Sequence, residues 1–316
     1  MGETMKVKKI FEDCDKVLLI STIVLCLFGL FNIVTVSSQE ASSSNIYFYF
    51  FRQLIFVVAG VFLTAVIMTR PIKNLYKYLL ILFGGCVFFN IYAILSGAVT
   101  RGASNWVNLG PISFQPSELS KPVIILTTAF LFERFAKIFK NPRIDHTKHF
   151  VIIFTVGLLI PMLVFLQKDI GTFTILTGTF LMMFIFSPIS NKEKLKMGKI
   201  VGVLALVLVL VYVLVKGTLL TDAQRSRLDY FDPCSSEKFS GSGFQVCNAF
   251  IAINRGGLTG AGIGNSTQKY SYIPEPHTDM VFAIISEEYG FVVGVVILLI
   301  YALCSIYIYS SKHLII

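Results

Sequence analysis

The chain has 316 residues, of which 55% are apolar and only 14% charged, with a mean hydropathy of +0.74. A soluble domain carries about 25% charge, so this composition excludes an ordinary soluble protein and calls for a lipid environment. The net charge of +9 does not indicate nucleic acid, because the basic residues fall in short segments between apolar runs, as topology signals do.

A run of about 20 apolar residues crosses the hydrocarbon core as a helix. Eight such runs are expected, at 17–38, 48–69, 78–97, 118–135, 150–166, 170–188, 199–216 and 279–309. The expected fold is therefore all-α, a polytopic bundle of about eight membrane helices in a single domain. The first run lacks a small-residue cleavage site and is long enough to remain as an anchor, so no cleaved signal peptide is expected. The last run exceeds what a bilayer needs, which implies tilt, kink or projection.

Orientation follows from the basic residues. With the N-terminus inside, the inner segments hold Lys6, Lys8, Lys9 and Lys16, then Arg70, Lys73 and Lys77, then Arg134, Lys137, Lys140, Arg143 and Lys148, then Lys192, Lys194, Lys196 and Lys199. An even number of spans returns Lys312 to the inside. The positive-inside rule gives an N-in, C-in topology. Two outer segments result, 98–117 and the long extracellular loop 217–278. Long loops rich in aromatic residues, glycine turns and charges of both signs are usually functional. Cys234 and Cys247 both fall in that loop, on the oxidising side, where a disulfide and two free thiols are equal readings. No CxxC pair occurs among the six cysteines, so a zinc site is not expected.

Few ionisable groups lie at membrane depth, and such groups carry a functional expectation by default. Glu287 and Glu288 sit inside the last apolar run, and at least one should face the protein interior. They either work in the site or form a buried pair that orients helices. Asp279 follows Pro274-Glu275-Pro276-His277-Thr278 at the outer mouth of the same helix. Helix capping and catalysis are both open for it. Asp169 occupies the tip of a tight hairpin between the fifth and sixth runs. Glu118 and Lys121 stand three apart on one helix face, where they can pair. The glycine-rich stretch from Asn254 to Gly264 could hold a phosphate in a nest of N–H groups, with Arg255 and Lys269 adding positive charge. A structural turn is the plain alternative. Arg101 to Trp106 forms a basic and aromatic segment at the outer interface.

Three groups of motifs combine into a resemblance. Arg101-Gly-Ala-Ser-Asn-Trp106 with Phe114-Gln115-Pro-Ser-Glu118-Leu-Ser-Lys121 resembles one signature of the SEDS family (FtsW/RodA/SpoVE type). Gln167-Lys-Asp169-Ile-Gly-Thr172 is similar to the next. Gln245, Ala252 to Gly264, Pro274 to Asp279 and Glu287-Glu288-Tyr-Gly290 resemble its long-loop signature. Ser266 to Tyr272 is more similar to the FtsW and SpoVE branch than to RodA. The resemblance implies a peptidoglycan glycosyltransferase that polymerises lipid II in the bacterial inner membrane, serving division or wall growth. It implies Asp279 as the essential acid. It implies Arg101, Trp106, Gln115, Glu118, Lys121, Asp169, Gln245, Arg255, Lys269, His277 and Thr278 around the substrate. It also implies a class B penicillin-binding protein and other divisome or elongasome membrane proteins as partners. Family members usually have ten membrane helices. Eight are expected here, which implies a truncated or degenerate member lacking the last two.

The chemistry implied is attack by a sugar 4-hydroxyl on a lipid-linked anomeric carbon, with Asp279 as base. The departing diphosphate needs cations, N–H donors or a divalent ion such as Mg or Mn. No separate ligand cluster for a metal stands out. Two alternatives remain at this point, a lipid II flippase and a non-catalytic division scaffold. The lack of an inverted repeat and the scarcity of midplane charges speak against the flippase.

Overall fold

In a computed structural model the described residues are 15–37, 47–70, 72–96, 98–100, 103–110, 112–139, 141, 146–187, 189–216, 232–235, 243–270, 273 and 277–311. Contacts divide the chain into two compact units, Arg70–Leu219 and the combination of Met1–Thr69 with Leu220–Ile316.

The Met1–Thr69/Leu220–Ile316 unit holds α1 (Lys16–Val36) and α2 (Phe48–Met68). The Arg70–Leu219 unit holds α3 (Ile72–Ser96), strands β1 (Ala98–Thr100), β2 (Ala103–Leu109) and β3 (Ile112–Phe114), then α4 (Pro116–Phe139), α5 (Thr147–Leu166), α6 (Ile170–Ile185) and α7 (Asn191–Lys216). The first unit resumes with α8 (Phe244–Gly256) and α9 (Val281–Ser311). Among the described residues, each of the eight expected runs is helical over most of its length. Among the described residues, five helical stretches are long and apolar enough to cross a membrane by length and composition: Lys16–Val36, Phe48–Met68, Tyr76–Ser96, Thr147–Leu166 and Val281–Ile308. Helix α8 and the three-stranded antiparallel sheet, in the order β1-β2-β3, were not expected from an all-α reading.

In the Arg70–Leu219 unit the core joins Val123, Ile124 and Phe132 of α4 to Phe150, Ile153, Ile160 and Val164 of α5 and to Leu176, Phe180 and Phe184 of α6. Lipid gives helices no hydrophobic reason to associate, so close van der Waals contact must hold them. Gly157 makes this possible: a Cβ there would lie 2.1 Å from Cε2 of Phe180. Polar groups reinforce the bundle. Gln167 donates from Nε2 to the carbonyl and side-chain oxygens of Asn90. Asn90 donates in turn to Ser120 Oγ at 3.1 Å. All three residues are fully buried.

In the other unit α1 and α9 run antiparallel. The rings of Phe28 and Tyr289 lie 5.4 Å apart. Val36, at the C-terminal end of α1, packs with Ala249 and Ala252 of α8, Ile273, and Ala283 and Ile284 at the start of α9. Helix α2 buries none of its residues within the protein, as suits a helix whose surround is lipid. Its first turn meets the segment before α9, where Tyr49 and His277 have ring centroids 4.0 Å apart.

Candidate functional site

The site residues expected from sequence fall into two groups, one in each unit. In the Arg70–Leu219 unit, Asp169 caps α6. Its Oδ1 accepts from the Thr172 amide at 3.0 Å. Its Oδ2 accepts from Thr172 Oγ1, from Asn105 Nδ2 at 2.7 Å and from Gln115 Nε2 at 3.1 Å. The carboxylate thus fastens β2 and the entrance of α4 to the α5–α6 tip. Both oxygens of Asp169 are engaged by the chain itself, which gives the residue a framework role. Gln115 is held by the same bond. The hairpin is tight, as expected, and Lys168 at its tip adopts φ 66°. Glu118 and Lys121 do pair, at 2.7 Å, with side chains 56% and 34% exposed. A surface pair of this kind is weak, so Lys121 stays accessible. Trp106 is exposed on β2, opposite Ala98. Arg101 lies outside the described residues.

In the other unit the central feature is a break in α9. Gly290 has φ 86° and ψ 175°, outside the helical region. A break in an apolar helix frees carbonyls and amides that lipid cannot satisfy. The glycine-rich loop after α8 satisfies them. Ala261 and Gly262 donate their amides to the carbonyls of Glu287 and Glu288 at 2.8 and 3.0 Å. Across the break, the amides of Phe291 and Val292 donate to the carbonyls of Gly257 and Leu258 at 2.8 and 3.4 Å. The backbones approach too closely for side chains: a Cβ on Gly256 would lie 2.0 Å from the Ser286 carbonyl oxygen, and one on Gly260 2.2 Å from that of Glu288.

Both acids of this helix are buried, at 0% and 2% exposure. Glu287 accepts from Arg255 Nη1 at 3.3 Å, from Ser266 Oγ, from the Thr267 amide and hydroxyl, and from the Gln268 amide. Donors of this kind compensate an ionised carboxylate removed from water. The amides around Glu287 come from Thr267 and Gln268, outside the stretch Asn254 to Gly264 expected as a phosphate nest, while Ala261 and Gly262 within that stretch donate to backbone carbonyls. Glu288 accepts from Lys269 Nζ at 2.9 Å, and the same ammonium donates to the Gly264 carbonyl at 2.8 Å. Lys269 is 1% exposed. Its ammonium is thus spent on Glu288 and the Gly264 carbonyl. Arg255 is partly withdrawn by Glu287, although 44% of its side chain remains exposed. Cys234 and Cys247 form a disulfide that ties residues 232–235 to α8. Gln245 sits half-buried in the first turn of that helix.

His277, Thr278 and Asp279 form the turn that opens α9. His277 is half-buried against Tyr49, and Thr278 and Asp279 are exposed. Asp279 therefore stands at the mouth of the buried half of α9, about 12 Å along the chain axis from Glu287. Among the described residues no three His, Cys, Asp or Glu side chains converge on a point where a metal ion could sit. A divalent ion such as Mg is usually shared between one or two carboxylates and substrate phosphates.

Sequence reasoning missed Asn90, Asn105, Ser120, Ser266 and Thr267. Asn90 had a signal, as a lone amide in an apolar run. Helix α8 also had one, an apolar pattern ending in Arg255 and closed by Gly257.

A helix interrupted at glycine, locked by a loop and opening on an exposed acid, within a bundle of apolar helices, defines a multi-pass membrane protein with a built site at one end of its α1/α2/α8/α9 unit. The Cell cycle protein family of FtsW, RodA and SpoVE matches residues 15–312, and the chain belongs to this family. It is 32% identical over 298 residues to a probable peptidoglycan glycosyltransferase FtsW of Bacillus subtilis, covering 90% of this chain and 70% of that one. It is 31% identical over 294 residues to the stage V sporulation protein E of the same organism, covering 91% and 76%. Among solved structures, the fold matches a chain described under structural coordination of polymerization and crosslinking by a peptidoglycan synthase complex. That match has a TM-score of 0.62 and 23% identity, and covers 92% of this chain and 76% of that one. It also matches the rod shape determining protein RodA of Thermus thermophilus, with a TM-score of 0.55, 19% identity and coverage of 92% and 73%.

Proposed function

We propose that this chain is a peptidoglycan glycosyltransferase that polymerises lipid II at the outer face of the bacterial inner membrane. The observation that carries the reading is Asp279, an exposed carboxylate at the mouth of α9, with the end of α2 held beside its turn by the Tyr49–His277 contact. Membership of a family with members named as peptidoglycan glycosyltransferases supports it. The charge pattern supports an N-in, C-in topology, which brings this mouth outside.

Asp279 takes the proton from the 4-hydroxyl of the terminal N-acetylglucosamine of one lipid-linked unit. The resulting oxygen attacks the anomeric carbon of a second lipid-linked chain. The bond from that carbon to the diphosphate oxygen breaks, and the polyprenyl diphosphate leaves with the electron pair. A positioned general base contributes about 10²- to 10⁴-fold. Both lipid tails stay in the bilayer, which is why a membrane bundle suits the reaction. A class B penicillin-binding protein would crosslink the strands. The solved neighbour from a synthase complex coordinating polymerization and crosslinking supports such a partner.

The test is Asp279→Asn in purified protein supplied with lipid II. The expected result is loss of polymer by about 100-fold or more while lipid II still binds. Normal polymer from the variant overturns the role of Asp279. Translocation of lipid II without polymer, from the unaltered chain, would make it a flippase.

A further inference from the structure

The Arg70–Leu219 unit carries a basic rim at the end opposite Asp169, about 30 Å away along α5. Four contacts build this end. The rings of Phe139, at the end of α4, and Phe150, in the first turn of α5, lie 5.1 Å apart. Phe150 meets Phe184, near the end of α6, at 6.3 Å. Lys194 of α7 donates to the Ile185 carbonyl at 2.6 Å. His146, just before α5, holds Nδ1 3.3 Å from Glu193 Oε2 of α7. Four helix ends therefore share one rim.

Six cations stand exposed on it: Arg134 and Lys137 of α4, Lys148 of α5, and Lys192, Lys196 and Lys199 of α7. Among the described residues none of the six forms an ion pair. The acids described at this end are Glu133 and Glu193, and each has a partner on the protein. Glu133 accepts from the Tyr76 hydroxyl at 2.9 Å, and Glu193 faces His146. The positive-inside rule counts charges between helices. It does not require that cations share a surface while the acids there are engaged elsewhere.

The start of α7 shows this sorting residue by residue. Glu193, Lys194 and Met197 face the unit, with Met197 inside its core. Lys192, Leu195, Lys196 and Lys199 follow one another at helical spacing on the other side, and Leu195 is 66% exposed. From Ile200 the helix turns apolar. An apolar side chain among ammonium groups, at the mouth of an apolar helix, suits the boundary between lipid headgroups and acyl chains. Basic clusters beside a membrane helix hold anionic headgroups, each cation adding about fivefold.

We infer that this rim binds anionic phospholipid, with headgroup phosphates spread over α4, α5 and α7 and Leu195 dipping into the acyl boundary. Under the N-in topology the lipid belongs to the inner leaflet. The inference is independent of the polymerase reading. The competing occupant is an acidic segment of another protein.

The experiment uses the full chain in a neutral detergent, checked for monodispersity, and measures equilibrium binding of labelled phosphatidylglycerol and, separately, of phosphatidylcholine. The unaltered chain should prefer phosphatidylglycerol, and the preference should shrink as salt rises. Lys192→Gln with Lys196→Gln should weaken phosphatidylglycerol binding about tenfold or more and leave phosphatidylcholine unchanged. Lys192→Arg with Lys196→Arg keeps both charges and should bind as the unaltered chain does. Lys16→Gln with Arg70→Gln removes two cations away from the rim and should cost less than about threefold. Undiminished phosphatidylglycerol binding by the glutamine pair at 192 and 196 overturns the inference. So does an equal loss in the pair at 16 and 70, which would make net charge alone responsible. An unaltered chain without preference for phosphatidylglycerol also overturns it and leaves the rim to an acidic protein. None of these measurements uses lipid II, so absence of polymer leaves the inference standing.

Discussion

Replacing Gly290 by alanine tests whether the break in α9 is held by the loop. The residue has φ 86° and ψ 175°, a region that is essentially reserved for glycine and costs other residues about 1–3 kcal/mol. The added Cβ would stand 2.4 Å from both the Gly260 amide nitrogen and the Leu258 carbonyl oxygen. Those are backbone atoms, so relief requires withdrawing the loop. Withdrawal breaks four bonds between the loop and residues 287, 288, 291 and 292. Each is worth about 1 kcal/mol net where water can replace it, and more where lipid cannot. Together the cost is about 5 kcal/mol, a large share of the 5–15 kcal/mol that usually holds a native protein together. Gly294→Ala is the internal control. Its Cβ would meet Ser286 Oγ at 3.3 Å and Phe282 Cζ at 3.4 Å, contacts that side chains can absorb. Thermal unfolding of both variants in detergent should show a drop on the order of 10 °C for Gly290→Ala and a few degrees at most for Gly294→Ala. Amide exchange should rise at Phe291 and Val292 in the first variant alone. Equal melting of the two would refute the account of the break.

Lys269→Met should destabilise the protein by about 3–5 kcal/mol, because it leaves the buried Glu288 carboxyl without its partner. The double variant Lys269→Met with Glu288→Met should recover most of that loss, and additive effects in melting would contradict the pairing. Asp169→Ala removes a helix cap and an acceptor shared by Asn105 and Gln115, at about 2 kcal/mol. Trp106, the single tryptophan of the chain, adjoins Asn105, so its emission should shift to the red as β2 loosens. An unchanged spectrum would mean that Asp169 does not anchor the strand.

The eight apolar runs were legible because lipid imposes length and composition directly on each segment, with no help from distant residues. The tip at Asp169 and the pair Glu118–Lys121 were legible for a similar reason, since their geometry is local. What lay beyond reach was the use of residues far apart in sequence. Gln167 meets Asn90 across 77 positions, and Glu287 meets Ser266 across 21. A glycine-rich stretch next to basic residues reads equally as a phosphate cradle or as a turn. The choice depends on whether another backbone approaches, and only the break at Gly290 decides it. The sequence also placed Lys269 among candidate phosphate ligands because it could not show the carboxylate that already holds it.

The partition of the acids has a mechanical consequence. The half of α9 before Gly290 is buried from Ala283 to Glu288, and its attachments are the glycine-rich loop, the Glu287 donors and the Lys269 pair. The half after the break faces outward along most of its length. Asp279 is therefore positioned by residues 255–269 and not by the lipid-facing half of its own helix. Any motion that carries the carboxylate must carry the loop with it, since two buried acids fasten the two together.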